Sequence, residues 1–185
     1  MNDSIDRVLL SEREIQRGIE AVARDVVRLF DGEAFTIVSV LKGSCVFTAE
    51  LIRSIDAPVG LAFAVAESYR DGVDSGRLEI SVLPGETEIR GRRILLVDDI
   101  LDSGATLAAI KRELLQRGAS EVRTCVLLDK PARRAVEFEA DLAGFEIEDH
   151  FVVGFGLDHA GRFRNLPFVA ALKPELSLAG SAPAS

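Results

Sequence analysis

The stretch from Ile94 to Thr106 constrains the fold more than any other part of the chain. It opens with four apolar residues, 94–97, whose length and branching predict a strand buried on both faces. A turn containing Gly104 follows, and apolar residues then recur at helical intervals until Gly118, which is placed to end a helix. We therefore predict a parallel α/β sheet with helices on both faces.

The turn after this strand has the composition of an anion-binding site. Free N–H groups at the start of a helix, together with the helix dipole, favour a phosphate, and Gly104 lets the backbone approach it closely. Two hydroxyl side chains add donors, so a phosphate fits at residues 102–106. Asp98 and Asp99 have the wrong charge for a phosphate, but they suit sugar hydroxyls or the hydration shell of Mg²⁺. Together these features predict a site for a ribose 5-phosphate.

Each of these residue types is also an ordinary turn or cap residue. The three carboxylates Asp98, Asp99 and Asp102 lie within five positions, however, and a capped turn needs only one acid. The complete string therefore favours a binding function.

The composition narrows the class of protein. A chain of 185 residues is most simply one domain, and its 48% hydrophobic and 28% charged residues are ordinary for a globular protein. The net charge of −8 argues against a nucleic-acid or anionic-membrane partner. No apolar run approaches the roughly 20 residues of a membrane span, and the polar start is not typical of a secretion signal. We expect Cys45 and Cys125 to be buried as small hydrophobic side chains, and they indicate neither a disulfide framework nor a metal knuckle.

Periodicity predicts the remaining elements. Ser11 and Glu14 have the spacing of a capping box at the start of the first helix. We predict helices over 12–30 and 45–55, strands over 35–41, 60–67, 77–83, 121–128 and 168–172, a polar loop over 68–76, and a disordered tail over 175–185 after a single domain, 1–174.

Three of these segments also carry polar residues of interest. Lys42 and Gly43 form a second strand–turn–helix junction, which beside a ribose-phosphate site suggests a pyrophosphate-binding loop. The loop 68–76 fits either a solvated segment or a lid. Lys130 follows a strand and fits either a solvated basic turn or the ligand-binding edge of the sheet. Gly154-Phe-Gly156 lacks the third glycine of a dinucleotide fingerprint, which we reject.

Over roughly residues 5–174 the chain resembles the type I phosphoribosyltransferases, and most closely the hypoxanthine and hypoxanthine-guanine enzymes. Five segments carry the resemblance in order: VLKGS (40–44), SY (68–69), VDDILDSGATL (97–107), LLDKP with the arginines after it (127–134), and FVVGFGLD…RFRNLP (151–167). The resemblance implies a mostly parallel sheet with a small hood from both terminal segments. It also implies purine salvage, in which 5-phosphoribosyl 1-pyrophosphate and a 6-oxopurine give a nucleotide and pyrophosphate.

The resemblance also assigns roles to the matching residues. Asp102 is implied as the catalytic carboxylate that handles the purine proton, and the Leu41–Lys42 peptide is expected to be cis. The implied sites are ribose-phosphate (Asp98, Asp99, Asp102, Ser103, Gly104, Ala105, Thr106), pyrophosphate (Lys42, Gly43, Arg164), purine (Lys130, Phe151, Val152), flexible loop (Ser68, Tyr69) and Mg²⁺ (Asp158, Asp98, Asp99).

The chain departs from the family pattern in three places. Asp98 stands where glutamate is usual, Ser103 replaces the commoner threonine, and residues 70–76 have fewer small and hydroxyl side chains, which puts the reach of the lid in doubt. Further expectations are a cytoplasmic location, a homodimer or homotetramer, and no nucleic-acid or membrane partner. Two alternatives stay open: a regulatory nucleotide-sensing protein of the same fold, and a transferase that prefers xanthine.

Overall fold

A computed structural model of the chain describes residues 4–69 and 77–179. Along this part of the chain the strands are β1 (Ile5–Leu10), β2 (Phe35–Leu41), β3 (Val59–Tyr69), β4 (Arg77–Val82), β5 (Arg93–Leu101), β6 (Glu121–Asp129), β7 (Leu142–Glu146), β8 (Val152–Val153) and β9 (Val169–Leu172). The helices are α1 (Glu12–Leu29), α2 (Cys45–Ser54), α3 (Glu86–Ile89), α4 (Ala105–Gln116) and α5 (Pro174–Ala179).

A six-stranded sheet in the order β4-β3-β2-β5-β6-β7 forms the body of the fold. The strands from β3 to β7 in this order are parallel, and β4 pairs antiparallel with β3 at one edge. The register places Ser39 beside Val97, and Leu101 beside Asp129. The carboxyl ends of β2, β5 and β6 therefore lie together at one end of the strands, which is where open α/β sheets bind ligands. The predicted fold class is confirmed.

The central strand is buried on both faces, as its apolar run predicts. Residues Ile94 to Val97 have no exposed surface. Leu95 and Val97 pack in one hydrophobic cluster with α1 and α2, whereas Ile94 and Leu96 pack in a second cluster with α4. Successive side chains of a strand point to opposite faces, so the sheet forms the middle of three layers.

The predicted helices are present, with two corrections to the burial of their residues. The capping box of α1 is present, because the Ser11 N–H donates to the Glu14 carboxylate at 2.8 Å and the Glu14 N–H donates to the Ser11 hydroxyl at 3.4 Å. In α4, Gly118 follows the C-cap with a φ of 92°, as a helix stop requires. Leu115, one of the apolar residues that recur at helical intervals before Gly118, is 46% exposed rather than buried, and Cys45 at the start of α2, which we expected to be buried, is exposed as well.

A smaller antiparallel sheet, β1-β9-β8, joins the two terminal segments of the chain. Ile5 pairs with Leu172, and Ala171 pairs in turn with Val152. This sheet corresponds to the predicted hood. Its strands β1 and β8 were not predicted, and neither was β7 in the main sheet.

Two predicted segments differ in the structure. β3 continues through Ser68 and Tyr69, which we had placed in the loop, because these residues pair with Leu78 and Arg77. The rest of the predicted lid, 70–76, lies outside the described residues. α5 occupies 174–179, the start of the expected disordered tail, and residues beyond 179 are not described. None of the helices in the described ranges is long and apolar enough to cross a membrane.

Candidate active site

A cavity of about 260 Å³ lies at the carboxyl edge of the main sheet, between the ends of β2 and β5 and the start of α4. Gly104 precedes the helix with a φ of 83°, and the Ala105 N–H at the first helical position approaches the Ser103 hydroxyl at 3.3 Å. The left-handed conformation favours glycine at this position. The predicted residues that line the cavity are Gly43, Asp98, Asp99, Asp102, Ser103, Gly104 and Thr106.

Asp98 and Asp99 follow the fully buried residues 94–97 of β5. Their surroundings disfavour the presence of two negative charges. Burial raises the pKa of the Asp98 carboxyl well above its usual range, and the Asp99 carboxylate raises it further. Burial also raises the pKa of Asp99, while its hydrogen bond with Asp98 and the charge of Arg164 act in the opposite direction. A bound cation or hydroxyl donors would stabilise the ionised pair.

Gly43 is fixed by its contact with Asp99. A Cβ at position 43 would lie 1.8 Å from Asp99 Oδ2, so any larger residue here would force the Asp99 carboxylate to move. The Leu41–Lys42 peptide before it is cis, as expected, and the Lys42 side chain is exposed. The predicted pyrophosphate loop (residues 42–44) and the predicted ribose-phosphate loop (residues 98–106) are therefore in direct contact.

Beneath the pyrophosphate loop lies a set of buried hydroxyls that sequence reasoning missed. The Ser39 hydroxyl is 2.7 Å from that of Ser44 and 2.8 Å from that of Thr48. Ser44 also donates to the Val40 carbonyl at 2.6 Å. These bonds tie the loop to β2 and α2 and fix its shape.

Asp102 has one oxygen that is not engaged. Its Oδ1 atom is shielded from solvent and has no hydrogen-bond partner in the described part of the chain. The nearest positive charge is the Arg133 guanidinium, 3.5 Å from that oxygen. Asp102 lines the cavity, and a carboxylate oxygen without a hydrogen-bond donor is chemically able to accept a proton.

Arg164 and Asp158 form a pair on the loop between β8 and β9. The Arg164 guanidinium is 2.6 Å from Asp158 Oδ1 and donates to the Gly156 carbonyl at 2.6 Å, and the Gly161 N–H donates to the other Asp158 oxygen. A Cβ at Gly156 would lie 2.2 Å from the Gly43 carbonyl oxygen, so this loop rests on the pyrophosphate loop. Gly156 therefore allows the two loops to pack closely, a role that the rejected dinucleotide fingerprint did not indicate.

The predicted purine-binding residues lie close to one another, just after β6 and at the start of β8. Lys130 is nearly buried, and its ammonium donates to the His150 carbonyl at 2.7 Å and lies 3.6 Å from Asp149. Phe151 is 43% exposed, with its ring edge-on to His159. Val152 is buried in β8.

The predicted metal ligands do not form a single cluster. Across residues 4–69 and 77–179, no group of three or more acidic, histidine or cysteine side chains is arranged to hold a metal. Mg²⁺ is usually bound by one or two carboxylates together with water and substrate oxygens, however. Asp98 and Asp99 fit that type of site, and Asp158 is held by Arg164 instead. Ser68 and Tyr69 end the adjacent strand β3.

Comparison with known proteins gives a consistent set of relatives. Residues 7–160 match the model of the family described as phosphoribosyl transferase domain. The chain is 40% identical over 176 residues to the hypoxanthine-guanine phosphoribosyltransferase of Lactococcus lactis, covering 95% of this chain and 96% of that protein. The same enzyme of Bacillus subtilis is 39% identical over 175 residues, covering 94% and 97%.

The chain is also 40% identical to the bifunctional protein TilS/HprT of Listeria monocytogenes, of which it spans 27%. Among solved structures, the hypoxanthine phosphoribosyltransferase of Staphylococcus aureus superposes with a TM-score of 0.88 at 36% identity, covering 95% of this chain and 96% of that one. The enzyme of Trypanosoma cruzi, solved as a ternary substrates complex, has a TM-score of 0.87 at 32% identity, covering 95% and 99%.

Proposed function

The chain belongs to the phosphoribosyltransferase family, among the hypoxanthine-guanine enzymes, and on this premise we propose that it catalyses a step of purine salvage. It transfers the 5-phosphoribosyl group of 5-phosphoribosyl 1-pyrophosphate to hypoxanthine, and to guanine as a second base. A ring nitrogen of the base bonds to the anomeric carbon while the bond from that carbon to pyrophosphate breaks. The electron pair leaves on the pyrophosphate, and IMP or GMP is formed.

One observation carries this proposal. The cavity is lined by the start of α4, by the acidic pair of β5 and by Asp102, whose Oδ1 atom has no hydrogen-bond partner in the described part of the chain. The helix start suits a phosphate, the acidic pair suits a diol, and the free oxygen suits a proton acceptor. A phosphorylated ribose that reacts with a nitrogen base requires this combination.

The ribose 5-phosphate would bind as the sequence predicts. Backbone N–H groups and hydroxyls of Ser103, Gly104, Ala105 and Thr106 would donate to the phosphate, and Asp98 and Asp99 would accept from the ribose hydroxyls. The transition state is oxocarbenium-like, so these groups also fix the sugar for displacement at the anomeric carbon.

The departing pyrophosphate needs positive charge and donors. Lys42, the Gly43 backbone and Arg164 would supply them, and removal of one such donor typically costs about 10²–10³ in kcat. Mg²⁺ bound by Asp98 or Asp99, with Asp158 as a further candidate ligand, would neutralise part of the charge on the leaving group. The raised pKa values of Asp98 and Asp99 support this, because a cation would relieve the cost of ionising both.

The base would be held by Lys130, Phe151 and Val152. The Lys130 ammonium would donate to the 6-oxo group, which selects oxopurines over adenine. Phe151, which is 43% exposed, would stack on the base, and the Val152 backbone would bind the edge of the base. Asp102 would accept the proton that the purine ring loses on bond formation, a contribution of about 10²–10⁴ in rate.

Closure and assembly complete the proposal. Ser68 and Tyr69 would belong to the segment that covers the site and excludes water from the reactive sugar.

We propose a cytoplasmic homodimer or homotetramer. The exposed side chains of Leu61, Phe63 and Val82 on the outer strands β3 and β4 support self-association, since large apolar surfaces favour an interface.

The test is a steady-state assay of the purified chain with 5-phosphoribosyl 1-pyrophosphate and Mg²⁺, offering hypoxanthine, guanine, xanthine and adenine separately. Turnover with hypoxanthine or guanine, no turnover with adenine, and loss of activity on chelation are the expected results. Preference for xanthine would correct the base specificity. Absence of turnover with every base would overturn the proposed reaction.

A further inference from the structure

The ribose-phosphate loop is held from behind by one short segment, residues 134–136. The Arg134 guanidinium donates through Nη1 to the Leu101 carbonyl at 3.0 Å and to the Asp102 carbonyl at 2.6 Å. The Ala135 N–H donates to the Ser103 carbonyl at 2.9 Å. Three consecutive carbonyls of the loop are thus bound by this segment, and the Leu101 carbonyl also accepts from the Lys130 N–H at 2.9 Å.

This arrangement determines where the loop's N–H groups point. In a planar trans peptide the carbonyl of one residue and the N–H of the next point in opposite directions. Fixing the carbonyls of Leu101, Asp102 and Ser103 toward Arg134 and Ala135 therefore directs the N–H groups of the next three residues, 102–104, the opposite way, and these three residues line the cavity. The phosphate-binding surface depends on these orientations.

We propose that Arg134 is a positioning residue that sets the ribose-phosphate loop in its phosphate-binding conformation. This inference rests on the proposed function and adds a residue that touches neither the sugar nor the base. Arg134 acts on the backbone of Asp102, whereas its neighbour Arg133 faces the Asp102 carboxylate.

Two features fit Arg134 to this role. Its side chain is only 16% exposed, and its other terminal nitrogen pairs with the Asp129 carboxylate at the end of β6. The space behind the loop is also full, since a Cβ on Gly104 would lie 3.2 Å from the Arg134 side chain. A planar guanidinium can bridge two carbonyls and a carboxylate at once, and an ammonium cannot do so with the same geometry.

The experiment compares Arg134→Lys and Asp129→Asn with the wild-type chain and a control, Arg92→Lys. Arg92 is an exposed arginine just before β5, at the opposite edge of the sheet. KM for 5-phosphoribosyl 1-pyrophosphate, KM for hypoxanthine, kcat and Tm are measured for each. Lysine at position 134 keeps the positive charge but lacks the planar guanidinium that binds both carbonyls and the Asp129 carboxylate. The variant therefore distinguishes the effect of loop geometry from electrostatic attraction of the substrate.

We expect Arg134→Lys to raise KM for 5-phosphoribosyl 1-pyrophosphate tenfold or more, with KM for hypoxanthine changed less than threefold. Asp129→Asn, which weakens the hold on the same guanidinium, should also raise KM for 5-phosphoribosyl 1-pyrophosphate. If Arg134→Lys does not fold, this variant tests the inference. An unchanged KM for 5-phosphoribosyl 1-pyrophosphate in the folded variants would overturn the inference, as would activity lost only in proportion to the unfolded fraction. A wild-type chain without turnover would overturn the proposed function itself.

Discussion

Substitution of Gly43 by alanine tests the contact between the two loops of the site. The new Cβ would lie 1.8 Å from Asp99 Oδ2, and an ordinary contact begins at 3.4 Å. The Asp99 carboxylate would have to move by about 1.6 Å, because atoms repel steeply inside contact distance. Asp99 cannot yield freely, since its Oδ1 accepts a hydrogen bond from the Ile100 N–H at 2.9 Å.

The expected effect is on catalysis. A misplacement of about 1 Å costs roughly 10²-fold when a group must be held for reaction. We therefore expect Gly43→Ala to lower kcat/KM for 5-phosphoribosyl 1-pyrophosphate by about 10²-fold, or about 2.7 kcal/mol. The measurement is the initial rate at a series of substrate concentrations, with circular dichroism to confirm folding.

The matched control is Gly85→Ala. Gly85 has a φ of −66°, and a Cβ there would lie 3.6 Å from the Glu88 carboxylate, an ordinary contact. Its kcat/KM should stay within twofold of the wild-type value. Wild-type kcat/KM in folded Gly43→Ala would refute the argument that the loops depend on this contact.

Three further variants test other parts of the account. Asp102→Asn should lose about 10²–10⁴ in kcat while calorimetry finds IMP binding largely retained; wild-type turnover would exclude the proton-acceptor role. Lys130→Met should lower kcat/KM for hypoxanthine by about 10²-fold and narrow its advantage over adenine in competition assays, because the donor to the 6-oxo group is gone; an unchanged ratio would contradict that role. In Asp141, burial favours a higher pKa, but hydrogen bonds from Thr124 and Arg123 outweigh it and lower the pKa. Its stabilisation is present above the ordinary carboxyl pKa and is lost as pH falls through the lowered one. Denaturant unfolding should therefore find Asp141→Asn less stable by about 1–3 kcal/mol at neutral pH, with the gap closing in acid; a gap independent of pH would refute this.

Local patterns in the sequence predicted the elements that build the site. The apolar run 94–97 is fully buried, and Gly104 takes the left-handed conformation that the turn requires. These predictions succeeded because strand burial, helix caps and tight turns depend on neighbours within a few residues. The acidic pair at 98–99 was located for the same reason, at the end of a recognisable strand.

Contacts between distant segments could not be predicted in this way. Nothing near Arg134 in the sequence indicates that it binds carbonyls 32 and 33 residues earlier. The contact between Gly156 and the Gly43 carbonyl likewise depends on how two loops meet. Leu115 fits the apolar pattern of α4, but it is exposed. Such features follow from tertiary packing rather than from local pattern.

The stoichiometry of products tests the central claim most directly. The wild-type chain is incubated with 5-phosphoribosyl 1-pyrophosphate, Mg²⁺ and hypoxanthine, and both IMP and pyrophosphate are quantified by chromatography over time. We predict that the two products appear in equal amounts, and that neither forms when the base is omitted. Pyrophosphate without IMP would mean that water attacks the sugar, and the absence of both products would contradict the proposed transfer.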